Sequence, residues 1–279
     1  MSEKRELGFK PVENESPKTL TPDQIKEFNE TGVLFPLDGL SEEEAKQHLK
    51  FVNHLMDETN RKGGDGYTIN CKHSFLRSLY DICLHPKILA VIGDLLGENY
   101  LAWGTHYFSK EAGDTKKVAM HQDASYWPLT PSRTITVWLA IDHVDEENSA
   151  MQVIPGTHLK GHLPWKKVQD PAVLDQELTG LGELGDPVSL CLKAGQFSVH
   201  SDMSAHGSDP NLSNRRRCGL TIRYAPSYVR ATVDGSWGRS AIHCAGEKAD
   251  HWNYLDRPES DDIDRAIKHL DKQMANAAR

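Results

Sequence analysis

Cysteine is sparse and unpaired in pattern: Cys71, Cys83, Cys191, Cys218 and Cys244 are scattered, odd in number and free of any Cys-x-x-Cys spacing. This argues against a disulfide frame and for reduced thiols in a cytoplasmic setting. Long apolar runs are also missing. Residues 1–6 lack the core of a signal peptide, no stretch approaches membrane-spanning length, and the last three residues, Ala277, Ala278 and Arg279, are not a peroxisomal tripeptide. Basic charge is not in excess either. With 32 Lys and Arg against 40 Asp and Glu, the formal net charge is −8, so there is no basic footprint for nucleic acid or an anionic membrane. A small-molecule substrate is the partner that remains. The 279 residues, 38% of them hydrophobic, are enough for one β-barrel-like domain with helical additions.

What is present centres on residues 120–127. In extended backbone His121 and Asp123 point to the same side and offer an imidazole and a carboxylate to one ion. The third ligand has to come from elsewhere. His206 is the preferred residue, following the strand-like run 197–201; His200 and His106 are rivals. Two histidines and a carboxylate on one face of an ion leave the opposite positions open, which suits non-haem Fe(II) that also binds a co-substrate and O2. Arg217 leads into the strand-like segment 219–224, and a guanidinium there can grip the far carboxylate of 2-oxoglutarate with two hydrogen bonds, with Arg216 the rival if the register differs. The same ligands on a barrel could serve a cupin-type metal-dependent hydrolase or isomerase, or a non-catalytic metabolite-binding barrel. Arg217 favours the oxygenase, because a hydrolase has no need of an internal arginine facing an open iron.

Local signals place these residues. Residues 1–18 are polar and expected to be a flexible N-terminus, with 19–279 forming a single domain. Thr21-Pro22 starts a helix that ends at Gly32, and the Ser41/Glu44 capping box opens a second with Ala45, Leu49, Val52 and Met56 on one face. A third helix runs over 86–96 to Gly97. Segment 101–109 alternates as a strand, Thr105, Tyr107 and Ser109 opposing His106 and Phe108, and either face could look inward; Tyr107 is taken as a substrate contact. Segment 133–141 alternates Thr134, Thr136 and Trp138 against Ile135, Val137, Leu139 and Ile141. Residues 159–187 read as a long loop over the barrel mouth. Beyond Tyr224, the residues Tyr228, Arg230, Trp237, Arg239, His243 and Trp252 read as packing groups or as closure over an anionic or zwitterionic substrate. A final helix over 261–277 carries Ile263, Ile267, Leu270 and Met274 on one side, a stripe for the barrel or for a second subunit, so monomer and homodimer both stay open.

Together, His121-Gln122-Asp123, the segment 151–158 with Pro155-Gly156-Thr157-His158, and His206-Gly207-Ser208 through Asn211 to Arg217 resemble the phytanoyl-CoA dioxygenase family, Fe(II)- and 2-oxoglutarate-dependent oxygenases to which ectoine hydroxylase is related. The resemblance implies a mainly β fold with flanking helices around a double-stranded β-helix (jelly-roll, cupin-like) core, the iron at its mouth. It implies His121, Asp123 and His206 as metal ligands, Arg217 with Thr136 on the far carboxylate of 2-oxoglutarate, and Ser208 beside them. Trp127 becomes an aromatic wall for the substrate, and His158 a structural residue. Halogenating relatives replace the carboxylate ligand with a small residue, so Asp123 implies hydroxylation. Gln196 stands where relatives commonly carry Asp, an expected local change in turn bonding.

Overall fold

A computed structural model describes residues 4–168, 173–233 and 239–268. Four helices precede most of the strands. Helix α1 (Pro22–Thr31) is capped by Thr21 and Gln24 reciprocally, and it stops at Gly32, whose φ of 77° is left-handed. Only glycine fits there, since a Cβ would sit 2.5 Å from Ser204 Oγ. Helix α2 (Glu42–Arg61) opens on the Ser41/Glu44 box and buries His48, Val52, Leu55, Met56 and Thr59. Helix α3 (Arg77–Cys83) is too short to show periodicity, which is why the pattern did not announce it. Helix α4 (Pro86–Leu96) ends at Gly97 as expected.

The strands form a jelly roll of two main sheets. The larger runs Val33–Asp38, Gln196–Ser201, Ile135–Ala140, Arg217–Pro226, Tyr100–Lys110, Ser240–Ala245, Asn253–Tyr254; the smaller runs Val118–His121, Ala205–Ser208, Gln152–Ile154, Val188–Ser189. Alternation divides the larger sheet into two environments. Ile135, Val137, Leu139, Cys218, Leu220, Ile222 and Tyr224 join residues of all four helices in one core. Their neighbours Thr136, Trp138, Arg217, Thr221 and Arg223 face a cavity between the sheets. A bulge opposite Arg223 and Tyr224 adds one residue to Tyr100–Lys110, and it turns Trp103 onto the cavity side with His106 and Phe108.

Three expectations change here. Tyr107 is not a substrate contact: it points into the core, where its hydroxyl lies 3.0 Å from His48 Nε2 on α2. Alternation had left the inward face open, and the helices cover the face that carries Tyr107. Tyr107→Phe is expected to cost about 1–2 kcal/mol, because buried His48 loses its partner, and to leave the 2-oxoglutarate half-saturation unchanged; thermal melts and co-substrate titration read the two effects separately. Residues 4–18 are docked rather than loose. Arg5 donates to the carbonyls of Leu129 and Ala124, Val12 N donates to Asn29 Oδ1 (2.8 Å), and the amides of Lys18, Thr19 and Leu20 converge on the Asp94 carboxylate. The 159–187 segment contains a paired Trp165–Lys167 and Gln176–Leu178, and Gln122 ties its base by bonds to Gly161 O (3.0 Å) and from Leu163 N (2.8 Å). Of the C-terminal stripe, residues 263–268 are helical and Ile267 is buried, while Leu270 and Met274 lie outside the described residues, as does Trp237. Among the described residues, no helix is long and apolar enough to cross a membrane.

Candidate active site

His121 ends one strand of the smaller sheet, and His206 pairs directly with it from the neighbouring strand. Asp123 opens a one-turn 3-10 helix immediately after. The turn swings its carboxylate back, so Oδ1 lies 3.6 Å from His121 Nε2 and 3.9 Å from His206 Nε2. One ligand atom from each of the three falls within 4.8 Å of the others, and all three residues are buried.

The second ring nitrogens show what this cluster is for. His121 Nδ1 donates to Ala119 O at 2.8 Å and His206 Nδ1 to Ser204 O at 2.9 Å. A carbonyl only accepts, so each Nδ1 carries a hydrogen and Nε2 is the atom that each ring turns toward Asp123. Burial, with His121 and His200 nearby, pushes His206 well below the usual histidine range. Burial would raise the Asp123 carboxyl, but His121 and His200 outweigh it and hold it well below the carboxylate range. Two imidazole Nε2 atoms and a carboxylate converge with one side open, a donor set that fits Fe(II).

Thr136 belongs to this cluster and not to Arg217. Its hydroxyl donates to Asp123 Oδ2 at 3.0 Å, and its cross-strand partners are His200 and Arg223. Arg217 sits six residues before Arg223, roughly 20 Å along the strand, so the expected Thr136–Arg217 partnership fails on register. His200, the rival ligand, lies just outside: its Nε2 is 3.8 Å from Asp123 Oδ2, its ring is 4.4 Å from that of His206, and neither of its nitrogens has a hydrogen-bond partner among the described residues. His106 is occupied elsewhere, 2.6 Å from Tyr67 O. His158 is structural, 3.1 Å from Asn29 O and edge-on to Phe9.

Arg217 is buried at the other end of the cavity. Its Nε donates to Ser149 O (3.0 Å), its Nη1 to Phe108 O (3.3 Å) and its Nη2 to Ser208 Oγ (3.0 Å). No carboxylate pairs with it among the described residues, although its neighbours Arg215 and Arg216 both hold one. Beside it, buried Lys110 reaches Ser149 Oγ and Ser208 O, each at 3.2 Å, and Asp209 O. Burial lowers Arg217 to about 10, while burial and the charge of Arg217 lower Lys110 to about 7. Arg217 and Lys110 are thus adjacent and buried, with no carboxylate partner among the described residues. Trp138, unassigned from sequence although it shares the Thr136 face, lies beneath the guanidinium at 5.6 Å and lines the cavity between Arg217 and the triad.

The cavity holds about 770 Å³. Trp127 lines it and meets Trp103 edge to face at 4.8 Å, which makes an aromatic wall. Trp103 and Arg223 had no sequence signal. Trp103 depends on the bulge, and Arg223 looked like any strand residue until the fold placed it on the cavity face.

The sequence pattern of the phytanoyl-CoA dioxygenase (PhyH) family matches residues 18–219. Peroxisomal phytanoyl-CoA dioxygenase from Bos taurus is 30% identical over 155 residues, 53% of this chain and 46% of that protein. The chain thus spans about half the length of the mammalian relatives it matches. Among solved structures, the non-haem monooxygenase ThoJ is similar at TM-score 0.75 and 27% identity, over 89% of this chain and 98% of that one. EctD from S. alaskensis, solved with 2-oxoglutarate and 5-hydroxyectoine, shares the fold at TM-score 0.71 and 17% identity, over 90% and 94% of the two chains. On the breadth of the family match, the chain belongs to the phytanoyl-CoA dioxygenase family.

Proposed function

We propose that this protein is an Fe(II)- and 2-oxoglutarate-dependent oxygenase that hydroxylates an unactivated C–H bond of a small polar metabolite, an amino-acid-like, amine or phosphonate compound, releasing succinate and CO2. The observation that carries the reading is the pairing of an open His121/Asp123/His206 triad with a buried, carboxylate-free Arg217 across the same cavity. Fe(II) held by that triad, with 2-oxoglutarate and O2, supplies an oxidant strong enough to remove hydrogen from an unactivated carbon.

The chain's own groups do the rest. Ala119 O and Ser204 O fix the two imidazoles with Nε2 inward, and Thr136 holds Asp123 Oδ2 so that Oδ1 faces the histidines. Arg217, steadied by Ser149, Phe108 and Ser208, offers its fork to the far carboxylate of the co-substrate. Trp103 and Trp127 give the substrate an apolar surface and keep water from it. A hydrolase would leave the buried positive end of the cavity without purpose. The five free cysteines accord with a reducing, cytoplasmic compartment.

Anaerobic titration with Fe(II) and then 2-oxoglutarate tests this. The weak visible charge-transfer band of the chelated complex should appear, and admission of O2 should yield succinate. Absence of the band, with tight binding of Zn or Mn instead, would point to a cupin-type hydrolase.

A further inference from the structure

Arg223 stands one cross-strand step from Thr136, which touches Asp123, so its side chain enters the cavity beside the triad. Its guanidinium lies 5.6 Å from the Trp103 ring and 5.1 Å from the Trp127 ring. Its partner on the other side is Gly104, where a Cβ would come 3.2 Å from Arg223 Cδ; the missing side chain leaves a groove for the arginine stem. Two tryptophans and a glycine thus hold the cation in place, yet its buried Nε has no hydrogen-bond partner among the described residues, and no carboxylate there pairs with it. A buried donor left unpaired is destabilising, and a ligand acceptor would relieve it.

Charge balance points the same way. A divalent metal, the Asp123 carboxylate, the Arg217 cation and the 2-oxoglutarate dianion sum to zero, and Lys110 beside Arg217 can only add positive charge. Arg223 in the cavity lining is therefore left without a counter-charge. The nearby His73 and His106 add no further positive charge, since burial, with the charge of Arg223 adding to it, lowers both to about 4.

We propose that Arg223, held between Trp103 and Trp127 over Gly104, binds an acidic group of the substrate, a carboxylate, phosphonate or sulfonate, beside the metal site. The substrate is accordingly a small anion with an apolar portion lying on the two indoles. This rests on the oxygenase reading above and narrows its substrate class.

The test uses the full chain, loaded anaerobically with Fe(II) and saturating 2-oxoglutarate, and titrates it calorimetrically with butanoate, butylphosphonate and butylammonium. At least one of the two anions should bind and the ammonium should not. Arg223→Gln should weaken the anion about tenfold to a hundredfold, the loss of one charge-assisted hydrogen-bonding group, with the 2-oxoglutarate half-saturation unchanged. Arg223→Lys should recover part of the affinity, which a mere folding defect would not allow, and thermal melts of both variants confirm that they are folded. Equal binding of anions and ammonium, no binding of either anion, or wild-type anion affinity in Arg223→Gln would overturn the assignment. So would a rise in 2-oxoglutarate half-saturation like that of an Arg217 variant, since Arg223 would then belong to the co-substrate site. The charge-transfer band reports the oxygenase reading and the heat of anion binding reports the subsite, so either can fail without the other.

Discussion

Asp123→Ala is expected to abolish succinate formation and to lower Fe(II) affinity by more than the roughly 10–100-fold that loss of a supporting hydrogen bond costs. The carboxylate is the one anionic donor in the triad, and neither His200, 3.8 Å from Asp123 Oδ2, nor Thr136 can replace its charge. Thr136→Val is the informative companion. As the hydroxyl that orients Asp123, Thr136 should cost metal affinity about 10–100-fold when removed and leave 2-oxoglutarate half-saturation nearly unchanged. The reverse outcome, intact metal binding with weakened co-substrate binding, would restore Thr136 to the carboxylate-clamping role that the family resemblance implied. Equilibrium dialysis for the metal and the visible band for the co-substrate separate the two cases.

Arg217→Ala carries the second large effect. Two charge-assisted hydrogen bonds to a buried carboxylate are lost, about 3 kcal/mol or more, so the 2-oxoglutarate half-saturation should rise at least roughly a hundredfold while Fe(II) affinity holds. Arg217→Lys should recover only part, because an ammonium keeps the charge and loses the fork. Lys110 adds a pH signature. Its amine is lowered to about 7 by burial and by the charge of Arg217, so it is charged below that pH and neutral above it. A bound dianion favours the charged form. Binding above pH 7 should therefore take up a proton, and affinity should fall as pH rises from about 7 towards the ordinary lysine range. Calorimetry in buffers of different ionisation heat measures the uptake, and Lys110→Met should flatten the profile. The sign for stability is opposite. With its folded value below the unfolded one, Lys110 destabilises the protein without co-substrate at and below pH 7, and the cost is relieved as pH rises towards 10.

Much of this protein is legible in short stretches of its chain. The caps at Thr21, Ser41 and Gly97 and the helix faces they bound are local hydrogen bonding and periodicity. The alternation of residues 134–141 correctly sorts Thr136 and Trp138 from the aliphatic core. The candidate metal ligands are legible because ligand chemistry needs particular residue types, and the spacing of His121 and Asp123 brings them together even though a turn, and not a continued strand, closes the geometry. Arg217 stands out by residue type in a strand lead-in, and the fold buries it on the cavity lining.

Tertiary structure decided the rest, and in each case through long-range pairing. Alternation in 101–109 defines two faces and not which is covered; α2 covers the side that carries Tyr107 and so takes it out of the cavity. Pairing Thr136 with Arg223 gave the threonine to the metal ligand and left Arg217 to the far end. The extra residue opposite Arg223 and Tyr224 turned Trp103 inward, and Gly104 opened the groove in which Arg223 lies. The sequence by itself determined the kinds of group this site contains, because ligand type and hydrogen-bonding capacity are properties of single residues. Which groups face one another was left to the fold, because a shift of one residue in strand register turns every side chain to the opposite face.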